Sequence, residues 1–159
     1  MTQNQIDTLL LDYAALRDQL QQAIAGLSED QLKWQAAPGV WSATEVLSHL
    51  ADHHIVVGFR IRDILAGSTA QLPVFNQDEW VSSSRANEGR AQDILAFYGA
   101  YLTYNLLLLK RLSPSEWERT GVNFKGETVS VRDVIWGFIK HVHVHIGQIE
   151  RIASAYVVV

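Results

Sequence analysis

Four stretches of this chain repeat apolar residues at helical spacing, and most open on a capping signal. The spacing predicts helices over about residues 4–26, 43–66, 88–112 and 131–156. Ser42 with Glu45 and Ser113 with Glu116 fit the Ser-x-x-Glu capping box, in which each residue satisfies a backbone N–H of the other. Ser28 with Gln31 fits its glutamine variant, and Ser130 is a candidate N-cap for the last helix. Pro114 stands at a first helical position, where its missing N–H has no bond to lose. Helices of roughly 20–26 residues measure about 30–39 Å, the size of a four-helix bundle. The expected fold is therefore all-α: a four-helix bundle, one domain over 1–159, with long connections containing short helical turns. Those connections carry four of the five tryptophans, Trp34, Trp41, Trp80 and Trp117.

Composition narrows the function classes. With 48% apolar and 19% charged residues in 159, the chain can bury a core. A net charge of -4 removes the electrostatic case for nucleic acid or an anionic membrane. There is no apolar run of membrane-spanning length, and "MTQNQIDTLL" lacks the basic start of a signal peptide, so the expected location is the cytoplasm. Zero cysteines exclude a disulfide, a thiolate metal site and a cysteine nucleophile.

All six histidines fall in two clusters. His49, His53 and His54 lie in "EVLSHLADHHIVV"; His141, His143 and His145 lie in "FIKHVHVHIGQIERI". Imidazole is the commonest side-chain ligand for divalent transition metals. "HVHVHI" alternates like a strand, but helical periodicity runs through it unbroken: Val134, Phe138, Val142, Ile149 and Ile152 share one broad face. On that helix His141 and His145 are about 40° apart on the apolar face, while His143, about 200° from His141, faces away. On the second helix His49 winds with Val46, Leu50, Val57 and Ile64; His53 lies near that stripe and His54 at its edge.

Two facing helices thus present imidazole into an apolar seam, and His49, His141 and His145 form the favoured metal set. Water or substrate would fill the remaining positions. The pattern is a helix pair plus a distant ligand, as in zinc hydrolases, without the glutamate of H-E-x-x-H. A di-iron carboxylate site is disfavoured, because Glu45 and His49 are four apart rather than three and Glu150 points off the seam. His143 and His54 are read as ordinary residues. His53 stays open between fourth ligand, outer hydrogen-bond donor and proton shuttle. Asp52 and Gln148, one turn from proposed ligands, can orient an imidazole. Arg60 and Arg62 are candidates for holding an anionic substrate, against the commoner reading of solvated charges. Trp41, Trp80 and Trp117 line a pocket mouth or simply anchor loops.

The stretches "WSATEVLSHLADHH", "FNQDEW", "LSPSEWERTG" and "GETVSVRDVIWGFIKHVHVHIGQI", in that order, resemble the DinB/YfiT superfamily of metal-binding four-helix bundles. The resemblance implies that fold and a divalent metal, nickel, zinc or manganese, on His49, His141 and His145. "HLADHH" is closest to the YfiT branch, described provisionally as metal-dependent hydrolases and related to bacillithiol S-transferases. It implies an enzyme acting on a small molecule, a hydrolase or a low-molecular-weight-thiol S-transferase, with that thiol as a second cofactor. His53 or Asp52 is then the nearest proton-transfer group. The competing class is a non-enzymatic, metal-stabilised interaction bundle, in which four protein ligands close the ion off. An exposed bundle face, with apolar surface from "YVVV", offers a route to a homodimer.

Overall fold

Each expected cap forms and sets where a helix starts. The computed structural model describes residues 1–156. Helix α1 spans Gln3–Ala23, α2 Glu29–Lys33, α3 Ala43–Ala66, α4 Gln77–Ser84, α5 Ala91–Leu109, α6 Pro114–Trp117 and α7 Val131–Ala155. At α3, Ser42 Oγ accepts from Glu45 N–H at 3.1 Å while the Glu45 carboxylate accepts from Ser42 N–H at 2.8 Å. Ser28 with Gln31, Ser113 with Glu116 and Ser130 with Asp133 close in the same reciprocal way. Thr2 with Gln5 forms a further box that sequence reasoning passed over.

The four long helices make the bundle. α3 packs on α5 and α7, and α1 packs on the same two, so α1 lies diagonally across from α3. Ring contacts give the directions. His49 meets His145, and His53, further along α3, meets Phe138, so α3 and α7 are antiparallel. Tyr13 meets Phe138 and Gln19 meets His143, so α1 and α7 run parallel. Tyr13, Leu16 and Leu20 of α1, Val46, Leu50 and Ile61 of α3, Leu95 and Tyr98 of α5, and Ile135, Phe138, Val142 and Ile149 of α7 form one buried cluster. Among the described residues, no helix is long and apolar enough to cross a membrane.

Two features depart from the sequence reading. The connection 113–130, expected to hold only helical turns, also folds into an antiparallel hairpin, β1 Thr120–Val122 with β2 Thr128–Ser130. Asn123 shapes its loop: the side-chain Oδ1 accepts from Lys125 N–H and Glu127 N–H, both at 2.9 Å. Gly126 takes the left-handed φ of +82° that the turn needs. The third long helix is also shorter than expected, because residues 86–88 form a separate 3-10 turn ahead of Ala91. Of "YVVV", Tyr156 packs edge-on against Trp34. Residues 157–159 lie outside the described residues.

Candidate metal centre

α7 is helical throughout, so the strand reading of "HVHVHI" fails and the 40° offset of His141 and His145 holds. Both face α3, where His49 stands two turns inside the capped N-terminus. His49, His141 and His145 each offer a ring nitrogen within 4.8 Å of the others. The Nε2 atoms of His49 and His141 are 2.9 Å apart. Two ligands at about 2.0–2.1 Å from one ion present nearly that separation. Among the described residues no carboxylate joins this group.

Burial holds the cluster neutral. It lowers the pKa of His49 to about 3 and of His141 to about 4, with the neighbouring imidazoles pushing the same way. His145 is lowered too, chiefly by burial, against the opposing pull of its bond to Gln148. That bond joins His145 Nδ1 to Gln148 Oε1 at 2.7 Å. An amide oxygen only accepts, so Nδ1 carries the proton and Nε2 keeps its lone pair. At His49–His141 at most one of the two facing Nε2 atoms carries a proton, and His49 Nδ1 is buried without a partner. Crowded, neutral, lone-pair-bearing imidazoles are a donor set that fits a borderline divalent ion such as zinc or nickel. Without one, they are an under-satisfied polar group inside the bundle.

The rest of the surround is aromatic. Trp41 lies 5.0 Å from His49 and stacks on His145 at 6.3 Å, ring centre to ring centre. Phe75, from the α3–α4 connection, stacks on His49 at 5.8 Å and His53 at 5.7 Å. Trp80 packs edge-on against Phe75. Trp34 sits instead against Tyr156, and Trp117 is fully buried in the core. Sequence reasoning missed Phe75, which lies in an irregular loop where no periodicity reports orientation.

His53 adjoins the cluster without being one of the three. Its ring centre is 4.4 Å from that of His141. Burial, with His141 and His49 and the charge of Arg60, lowers its pKa strongly. Its Nδ1 is buried and unpartnered. Asp52 is half-buried, which raises its pKa, and it makes no hydrogen bond to a histidine. His143 is exposed and meets Gln19 at 3.0 Å. His54 is not at the edge of the stripe but fully buried and turned into the bundle core, where its ring stacks on Phe138 at 4.8 Å. There it bonds the Tyr13 hydroxyl and the Asn105 amide, a hydrogen-bonded core residue as expected. Arg62 is tied down by Gly58 O and Asn105 Oδ1, which removes it as an anion holder at this centre.

A family model described as the DinB superfamily matches residues 12–149. A protein of Oceanobacillus iheyensis, provisionally named a metal-dependent hydrolase, is 24% identical over 85% of this chain and 78% of its own length. One from Geobacillus thermodenitrificans with the same provisional name is 25% identical over 65% of this chain and 58% of its own. Among solved structures, YfiT from Bacillus subtilis is described as a probable metal-dependent hydrolase with an unusual four-helix bundle topology. It superposes with a TM-score of 0.88 at 20% identity, covering 97% of this chain and 89% of that one. A mycothiol-dependent maleylpyruvate isomerase gives 0.73 at 12% identity, over 94% of this chain and 63% of that one.

Proposed function

The chain belongs to the DinB superfamily, and from that premise we propose that it is a metal-dependent enzyme acting on a small molecule, with His49, His141 and His145 as the metal ligands. The observation that carries this reading is the convergence of three neutral imidazoles from two antiparallel helices, with no carboxylate and no fourth histidine in the group among the described residues. A closed structural site normally takes four protein ligands, whereas three leave room for chemistry. A divalent ion there supplies Lewis acidity and lowers the pKa of a protic ligand towards neutrality.

The chain's own groups divide the remaining work. Gln148 holds His145 in the tautomer that points Nε2 inward. His53, whose ring centre lies 4.4 Å from that of His141, is the nearest proton-transfer group. Because the burial that keeps it neutral also makes it a weak base, its part is to relay a proton rather than to hold one. Trp41 and Phe75 wall the site against bulk water. Asp52 is a weaker candidate for proton transfer, since nothing ties it to the cluster.

Hydrolysis is the favoured reaction, because the curated relatives matched over much of this chain carry that provisional name. Thiol transfer is the second reading. The fold is shared with a thiol-cofactor-dependent isomerase, and a chain with no cysteine would take its thiol from solution. Ester and amide hydrolysis, and transfer of a small thiol to an electrophile, should be assayed with metal-loaded and chelated protein. Metal-restored turnover in either supports the enzyme reading and chooses between the two. A firmly bound ion with no turnover in any assay, its coordination closed by His53, favours the interaction bundle.

A further inference from the structure

Arg60 lies seven residues beyond His53 on α3, two helical turns or about 10 Å along the axis. His53, Val57 and Arg60 share one face and open on a cavity of about 190 Å³ between α3, the hairpin connection and α7. Its walls are otherwise largely apolar, with Leu72, Phe124 and Phe138 among them. His53 is the partition: one side lines this cavity and the other meets His141.

The guanidinium is poorly provided for. Nη2 donates to Pro73 O at a long 3.4 Å, the Phe124 ring lies 6.0 Å from Cζ, and Nε is buried with no acceptor. Among the described residues no carboxylate pairs with it. Two polar groups share the cavity wall, and both are committed elsewhere. Asp133 accepts from Ser130 Oγ at 2.6 Å, from Ser130 N–H at 3.0 Å and from Arg132. Asn123 turns its oxygen to the hairpin loop and its amide to Glu127. Burial pushes the Arg60 pKa down from its ordinary value, yet an arginine keeps its charge. A solvated surface arginine has water on every donor; this one has a hidden Nε and a largely apolar cavity in front of it. A planar fork with donors to spare suits an oxyanion.

We propose that this cavity is the substrate's anion subsite: Arg60 takes the carboxylate or phosphate of a small organic acid whose apolar body lies along Val57 and Phe138. The opposite end of that acid reaches His53, whose far side meets His141 of the three-imidazole cluster. The inference rests on the reading of that cluster as the reacting centre. At about 30 Å³ per water, the cavity is worth about six waters, which suits a short-chain acid.

The test is binding of hexanoate, hexyl phosphate and the neutral isostere hexanamide to the full chain, by calorimetry or ligand-observed NMR, in metal-loaded and metal-free protein. At least one anion should bind about tenfold or more tighter than the amide, as hydrogen bonds to a charged group require. Which anion wins identifies the head group. Arg60→Gln should abolish that preference in both forms of the protein, and Arg60→Lys should keep part of it. Persistence in metal-free protein excludes carboxylate binding to the metal itself. If Arg60→Gln unfolds, Arg60→Lys decides, by weakening the anion and sparing the amide. Equal binding of anion and amide, or a preference indifferent to both substitutions, overturns the proposal. The two readings fail separately. Arg60-dependent anion binding without metal binding removes the reacting centre, and metal binding without anion preference removes only this subsite.

Discussion

At His145 one ring nitrogen is spoken for and the other is free, and that asymmetry can be tested one side chain at a time. Gln148→Ala should leave the fold intact and weaken metal binding by about 10–100-fold, the usual cost of losing a partner that orients a ligand. Competition against a chelator of known affinity measures this, and unchanged affinity would show that the Gln148 bond does not orient the ligand. His145→Ala should lose most of the metal and His143→Ala almost none, because His143 is exposed on the far face of α7. Equal loss from both would contradict the placement. These positions were legible in the sequence because four residues of helix separate His141 from His145, and that spacing has only one rotational meaning. His49 was legible by the same winding. Phe75 was not, since its stacking on His49 and His53 depends on the path of a loop. Protonation was not legible either. An ordinary imidazole pKa of about 6.5 predicts metal loss and proton release near that pH. Burial instead brings His49 to about 3 and His141 to about 4. Protons should therefore compete with metal at His49 and His141 only towards pH 4, and metal addition at pH 6.5 should release almost none from those two rings. Calorimetry at pH 6.5 in buffers of different ionisation enthalpy checks this, and release of a full proton or more would contradict it.

At the level of elements, α3 carries most of the site, the His49 ligand candidate, His53 and Arg60, and turns His54 into the core. Its N-terminal box is therefore a sensitive place to cut. Ser42 is fully buried, and its hydroxyl also donates to Asn87 at 2.7 Å. Ser42→Ala should cost about 1–2 kcal/mol of stability, measurable by urea unfolding. A loss within error would mean the box is dispensable. The hairpin at the far end of α3 lies close against it: a Cβ on Gly121 would stand 2.8 Å from Ile64 Cγ1, a buried branched side chain. Gly121→Ala should cost about 1–3 kcal/mol by overpacking, and a neutral result would show the hairpin to be loosely seated. Helix existence and facing were readable because long periodic segments repeat their signal. The hairpin was not, because "TGV" and "TVS" are too short to show a period of two. What joins them is the Asn123 side chain, a local hydrogen-bonding choice.

The molecule as a whole keeps two buried imidazoles, His49 and His54, and two half-buried ones, His53 and His141, neutral, and that makes the metal-free bundle acid-sensitive. In the unfolded chain each takes a proton as pH falls through about 6.5, while in the folded chain each resists until much lower pH, His54 to about 3. Between those limits the unfolded state binds more protons. Stability from this source is complete above pH 6.5 and falls as pH drops, by about 1.4 kcal/mol per pH unit for each fully engaged histidine. Thermal unfolding of chelated protein from pH 7 to 5 should show a steep fall in Tm, shallower in His54→Gln; a flat profile would contradict the burial. The same concentration of neutral nitrogen gives the three-imidazole cluster its purpose, and one measurement tests that most directly. Anomalous diffraction from crystals of zinc- or nickel-loaded protein should show a single strong peak about 2.0–2.2 Å from His49, His141 and His145, with at least one further ligand that is not protein. A peak elsewhere, no peak at the cluster, or an ion closed by His53 as a fourth protein ligand would contradict an open three-histidine metal site.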